Sequence, residues 1–107
     1  MTRLSLADAL NSLCDADFVR LLERTDFDVS LYKPLGADSQ SAHARDELYV
    51  VASGSGEFYC DGEALRFSAG DTFFVPARTE HRFVNFSADF ATWVIFFGSR
   101  PENSTAL

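Results

Sequence analysis

Residues 53–75 read SGSGEFYCDGEALRFSAGDTFFV, and the reading of this stretch decides the fold. Short runs at 57–60, 64–67 and 72–75 are rich in aromatic and branched side chains, which suit a pleated, half-buried backbone. Gly-bearing bends at 53–56 and 69–71 separate them. So does Asp61-Gly62, a residue pair that favours the tight turn of a β-hairpin. No helical period fits so short a spacing of turns. The stretch predicts consecutive antiparallel strands.

The same pattern extends outward. Runs at 18–24 and 27–33 flank Thr25-Asp26, which suits a hairpin. Pro34-Leu35-Gly36-Ala37-Asp38 then breaks the ladder, because proline has no N–H to donate and glycine tolerates unusual dihedrals. Further strands are predicted at 48–52, 81–86 and 91–97. About eight short strands with close turns indicate an all-β sandwich or barrel, and no ten-residue helical pattern separates them as βαβ crossovers require. Ahead of the strands, Leu6, Leu10 and Leu13 recur at helical spacing behind Ser5, a residue suited to N-capping. This predicts one short amphipathic helix laid against the barrel, with a packing role. The polar segment 98–107 reads as a frayed tail.

Composition agrees with one domain spanning 1–107, its core at about 18–97. Two cores within 107 residues would each be too small to be stable by packing alone. With 47% hydrophobic residues, eleven of them Phe, one dry core is well supplied and disorder is not expected. Sixteen acidic against nine basic residues leave a net charge of −7, which repels phosphate backbones and anionic lipid headgroups. Nucleic acid and membrane are therefore poor partners. No run approaches the ~20 apolar residues of a membrane span, and Met1-Thr2-Arg3 does not open a secretory signal, so the cytoplasm is expected. Cys14 and Cys60 match no metal or redox spacing, and in a reducing compartment both are expected as free thiols.

Both histidines of the chain stand beside strands. The first belongs to a polar cluster of Asp38, Gln40, Ser41, His43, Asp46 and Glu47. On extended backbone, alternate residues share a face, so Ser41, His43 and Glu47 are expected to point together and Asp46 outward. The second, His81, opens the strand leading to Asn85. Tyr49 shares parity with Glu47 and Phe83 with His81, so a barrel can carry all four inward. A metal needs donors converging from several strands. A structural, hydrogen-bonded histidine is the competing reading of either residue alone.

Taken together, these positions resemble the two motifs of the cupin superfamily. His43, Glu47 and Gly54 match the second His, the Glu and the Gly of the first motif; Gly70, Pro76, His81 and Asn85 match the second. The match runs from Gly36 to Asn85 and departs at two places. Ser41 stands where the first motif has its first His, and a hydroxyl is a weak substitute for imidazole. Arg78 stands where the second motif has Gly.

The resemblance implies a cupin-type antiparallel β-barrel (a jelly roll) with a short N-terminal helix. It implies a divalent transition metal (Fe, Mn, Ni, Co or Zn) on His43, Glu47 and His81, with Gln40 lending its carbonyl oxygen or holding a water. Ser41, Tyr49, Phe83 and Arg82 then line the pocket of a small-molecule ligand. Arg78 and Arg82 flank His81; turned inward, either favours a carboxylate, and turned outward it is a solvated arginine. Two imidazoles and one carboxylate leave positions open for water, oxygen or a chelating substrate. Two functions fit: a metal-dependent enzyme of dioxygenase, isomerase or decarboxylase type, or a non-catalytic small-molecule binding or sensing module with a degenerate metal site. Small cupins commonly pair, so the resemblance also implies a homodimer to which 18–24 contributes.

Overall fold

The computed structural model describes residues 1–99. A helix, α1 (Leu6–Ser12), precedes eight strands: β1 (Phe18–Glu23), β2 (Phe27–Tyr32), β3 (Glu47–Ser53), β4 (Ser55–Cys60), β5 (Glu63–Ser68), β6 (Thr72–Val75), β7 (His81–Val84) and β8 (Ala91–Phe97). They form a five-stranded sheet in the order β1-β2-β8-β3-β6 and a three-stranded sheet in the order β5-β4-β7. The pairings described are antiparallel. The two sheets are the walls of a jelly roll, and packed side chains rather than a continuous ladder hold them together.

Local chemistry sets the strand ends. Asp61 and Gly62 take φ of 50° and 83°, the paired positive values of a tight primed turn, and they join β4 to β5 at the predicted place. The predicted bend at 53–56 is confined to Gly54, and β4 already begins at Ser55. Strand β7 stops at Val84, not at residue 86, because Asn85 turns left-handed with φ of 51°. Ser5 caps α1 as expected, its hydroxyl accepting from the Asp8 N–H at 3.1 Å. The helix covers the outer face of the five-stranded sheet, where Ala9 and Leu13 pack on Leu31 and Ala91.

Between the sheets lies an aromatic core. Tyr49, Val51, Val75, Val94 and Phe96 enter from the larger sheet; Phe58, Phe67 and Phe83 enter from the smaller one. The Phe83 ring meets Phe58 at 4.6 Å, Phe90 at 4.8 Å and, edge-on, Tyr49 at 4.9 Å. Each such side chain contributes roughly 1.5–3 kcal/mol by leaving water. Both thiols are free, Cys14 exposed and Cys60 half-buried. Gly98 and Ser99 bond to Asp26 and Thr25 across the β1–β2 turn. Residues 100–107 of the segment read as a frayed tail lie outside the described residues.

The glycine at 54 answers two demands at once. Its φ is +83°, and a Cβ there would lie 2.6 Å from both the Phe90 Cα and the Ser87 Oγ. Gly70 has a φ of +96° but open space around it. Gly54→Ala is therefore expected to cost roughly 2–5 kcal/mol, overpacking added to a left-handed backbone, and Gly70→Ala only the backbone share of about 1–2 kcal/mol. Urea denaturation of both variants measures the difference. Equal losses would show that contact with the Phe90 backbone is not what excludes a side chain at 54.

Candidate metal centre

Two sheets and one connection build this centre. Glu47 opens β3 in the larger sheet and His81 opens β7 in the smaller one, so the two side chains enter from opposite walls. His43 lies on the connection between β2 and β3. Several bonds hold that connection down. The Arg78 N–H donates to the His43 carbonyl at 2.6 Å, the Ala77 N–H to the Asp46 carboxylate at 2.8 Å, and Arg45 pairs with buried Asp28 at 2.7 Å. Arg78 takes φ of 63°, the left-handed conformation for which a glycine is the usual choice.

His81 Nε2 stands 3.0 Å from Glu47 Oε1, and His43 Nε2 stands 3.9 Å from the same oxygen. One donor atom from each of the three lies within 4.8 Å of the others, an arrangement suited to holding a metal ion. Donors about 2.0–2.2 Å from an ion are about 3.0–3.5 Å from one another, so only small side-chain shifts separate this geometry from coordination. A second observation agrees: Glu47 Oε2 is buried and has no hydrogen-bond partner. A carboxylate oxygen left so is costly, and a cation satisfies it. The His81 and Glu47 side chains are 0% and 1% exposed and His43 is 12% exposed, so the centre opens to solvent on the His43 side.

Hydrogen bonds bias the two imidazoles differently. His81 Nδ1 faces the Thr79 carbonyl at 2.8 Å and its Nε2 faces the Glu47 carboxylate; both partners only accept, an arrangement that favours the doubly protonated ring. Burial alone lowers the His81 pKa, but the Glu47 hydrogen bond, the Thr79 hydrogen bond and the Glu47 charge together raise it above its ordinary 6.5. His43 goes the other way. Burial lowers its pKa below 6.5, and the Glu47 charge only partly compensates. Protonation of His81 Nε2 would compete with metal binding at that atom.

Tyr49 and Gln40 close the centre. The Tyr49 hydroxyl donates to Gln40 Oε1 at 3.0 Å and lies 2.9 Å from His81 Nε2; Gln40 Oε1 also lies 3.2 Å from His43 Nε2. Burial raises the Tyr49 pKa well above 10, which keeps the phenol protonated at neutral pH. The Phe96 ring meets His43 edge-on at 5.5 Å, and the Arg45 guanidinium lies 4.6 Å from the centre of that ring.

The expected site residues divide cleanly. His43, Glu47, His81, Gln40 and Tyr49 come together, and Phe83 is buried behind Tyr49. Two of the expected pocket residues do not join them. Ser41 is exposed, because 33–46 is an irregular connection in which alternation does not apply. Arg82 points outward with half its side chain exposed, pairing with Glu80 at 3.0 Å, since it alternates with inward His81 and Phe83. Two interactions are not foreseen from the sequence. Asp38 anchors Gln40, for which an Asx-type bond to the Gln40 N–H at 3.1 Å is the legible signal. The Arg45–Asp28 pair joins distant positions that no local pattern connects.

Comparison with known proteins gives consistent results. The family model described as Cupin domain matches residues 29–97. An uncharacterized protein of Streptomyces coelicolor is 34% identical over 104 residues, covering 94% of this chain and 96% of that protein. Among solved structures, KdgF from Halomonas sp. superposes with a TM-score of 0.69 at 24% identity, covering 79% of this chain and 80% of the other. A predicted oxalate decarboxylase from Thermotoga maritima superposes with a TM-score of 0.59 at 20% identity, covering 75% and 77%. These structural likenesses concern the fold.

The proton assignment yields a pH dependence in metal-free protein. A histidine whose pKa is raised on folding stabilises fully below its unfolded value near 6.5. That contribution fades as pH rises through the folded value. In chelator-treated protein, NMR should show His81 titrating above 6.5 and His43 below it. The stability difference between the native chain and His81→Gln, roughly 3–5 kcal/mol near pH 6, should shrink toward pH 9. A difference that stays constant or grows contradicts the assignment.

Proposed function

The chain belongs to the cupin family, and from that membership and the geometry of its buried centre we propose a metal-dependent enzyme acting on a small organic molecule. His43, Glu47 and His81 hold one divalent ion of the Fe, Mn, Ni, Co or Zn group. The reaction is of dioxygenase, isomerase or decarboxylase type. What carries this reading is the unpartnered second oxygen of Glu47, buried beside two imidazoles. Stability gives no reason for a carboxylate there, because an apolar side chain in an aromatic core does as well or better.

A bound ion supplies Lewis-acid activation of a chelating substrate, or a water of lowered pKa. The chain's own residues do the rest. Substrate enters past His43, the exposed edge of the centre. The edge of the Phe96 ring and the Phe58 and Phe83 rings behind Tyr49 exclude bulk water. Tyr49, held protonated, serves as a hydrogen-bond donor that orients substrate or water rather than as a base.

A specific observation favours a second reading, a non-catalytic binding or sensing module. Both imidazole Nε2 atoms already have partners within the protein, in Gln40, Tyr49 and Glu47. The same view has the chain in the cytoplasm as a homodimer. Strand β1 is an edge of the larger sheet, and pairing with a second copy would cover its unpaired backbone groups.

Elemental analysis of protein purified without chelator separates the two functions. The enzyme reading predicts about one equivalent of transition metal per chain, with affinity reduced more than about 100-fold in His43→Ala and His81→Ala. Metal-free protein whose melting temperature ignores added divalent ions supports the binding module instead. Light scattering should give twice the 11.9 kDa chain mass, and a monomer at micromolar concentration contradicts the dimer.

A further inference from the structure

We propose that Asp38 is a positioning residue that turns the Gln40 carbonyl into the centre, where Gln40 Oε1 takes the place of the imidazole absent at Ser41. The inference rests on the metal reading above, for which the resemblance already offers Gln40 as a donor, and adds the group that aims it.

The Asp38 carboxylate accepts four hydrogen bonds. Its Oδ1 takes the Tyr32 hydroxyl at 2.6 Å and the Gln40 N–H at 3.1 Å; its Oδ2 takes the Gln40 side-chain Nε2 at 2.7 Å and the Phe83 N–H at 2.8 Å. A carboxylate only accepts, so the Gln40 amide is held with its NH2 toward Asp38 and its carbonyl away. Turned over, the amide would set oxygen against carboxylate and NH2 against the Tyr49 hydroxyl. Held as it is, Gln40 Oε1 lies 3.2 Å from His43 Nε2 and 3.0 Å from the Tyr49 oxygen. Those two neighbours link it to the buried pair: the Tyr49 hydroxyl lies 2.9 Å from His81 Nε2, and His43 Nε2 lies 3.9 Å from Glu47 Oε1. The Phe83 bond matters too. Phe83 follows His81 on β7, so one carboxylate fixes Gln40 against the strand that carries a proposed ligand.

The donor set becomes two imidazoles, one carboxylate and one amide oxygen. Replacing an imidazole by a carbonyl oxygen moves preference away from Ni and Zn and toward Mn, since harder oxygen donors suit the harder ion. Residue 40 is then a determinant of metal choice, and Asp38 acts through it.

The test is a double-mutant cycle read by Mn(II) and Zn(II) affinity, using calorimetry on the full chain after chelator treatment. Gln40→Ala and Asp38→Ala should each weaken Mn(II) binding about 10-fold or more, and the double variant should be no weaker than the worse single by more than about 3-fold. If Asp38→Ala does not fold, Asp38→Asn is carried through the same cycle. Gln40→His should raise the Zn(II)-to-Mn(II) affinity ratio at least about 10-fold, and the Co(II) absorption spectrum should change with it. Losses that multiply in the double variant, or an unchanged ratio in Gln40→His, overturn the proposal. A native chain that binds metal through His43 and His81 but is indifferent to Gln40→Ala overturns this inference alone. A native chain that binds none of these ions overturns the metal reading, and this inference with it.

Discussion

A carboxylate and an imidazole, 0% to 1% exposed and 3.0 Å apart, join the two sheets of this molecule at Glu47 and His81. Desolvating both groups is expensive, and their mutual attraction offsets that cost only when the remaining polar atoms are also satisfied. His81 meets the condition, with the Thr79 carbonyl on its other nitrogen. Glu47 does not, because Oε2 has no partner. The surrounding core is aromatic, and in such a low-dielectric setting an incomplete polar pair is most costly. The imbalance explains why the centre is better understood as a ligand-binding arrangement than as a stabilising one.

The rest of the architecture serves that meeting. The barrel walls bring Glu47 and His81 together, while the connection at 33–46 contributes what strands cannot. Pinned at Asp38, Arg45 and Asp46, it lays His43 and Gln40 over the open end of the pair. A connection this long that is tied down along its length, yet forms no strand, is typical of a segment with a functional task. The network also defines two alternative occupants of one position. A proton shared by His81 and Glu47 and a metal ion would compete for the same atoms.

Much of this was legible in the sequence. Strands are punctuated by local turn chemistry, so Asp61-Gly62 and Gly54 appear where the residues indicate. Parity on β3 and β7 correctly turned Tyr49, Glu47, His81 and Phe83 inward, because alternation is a property of any regular strand. The same rule misplaced Ser41, since the backbone there is irregular. Arg82 was misplaced differently: it obeys alternation, and its own strand turns it outward beside inward His81. Asp38 was visible as one acid among several, but its bond to the Phe83 N–H depends on long-range folding that no local pattern encodes. The Arg45–Asp28 pair is invisible for the same reason. The cupin motif brought His43, Glu47 and His81 together and the resemblance offered Gln40 beside them, but neither indicated the bonds that hold Gln40.

The central claim is that His43, Glu47 and His81 converge on one metal ion. Anomalous diffraction from crystals of the protein with its transition metal tests it most directly. The account predicts a single strong peak within about 2.0–2.3 Å of both imidazole Nε2 atoms and the Glu47 carboxylate. No peak there, with His81 still hydrogen-bonded to Glu47 and His43 to Gln40, would contradict it.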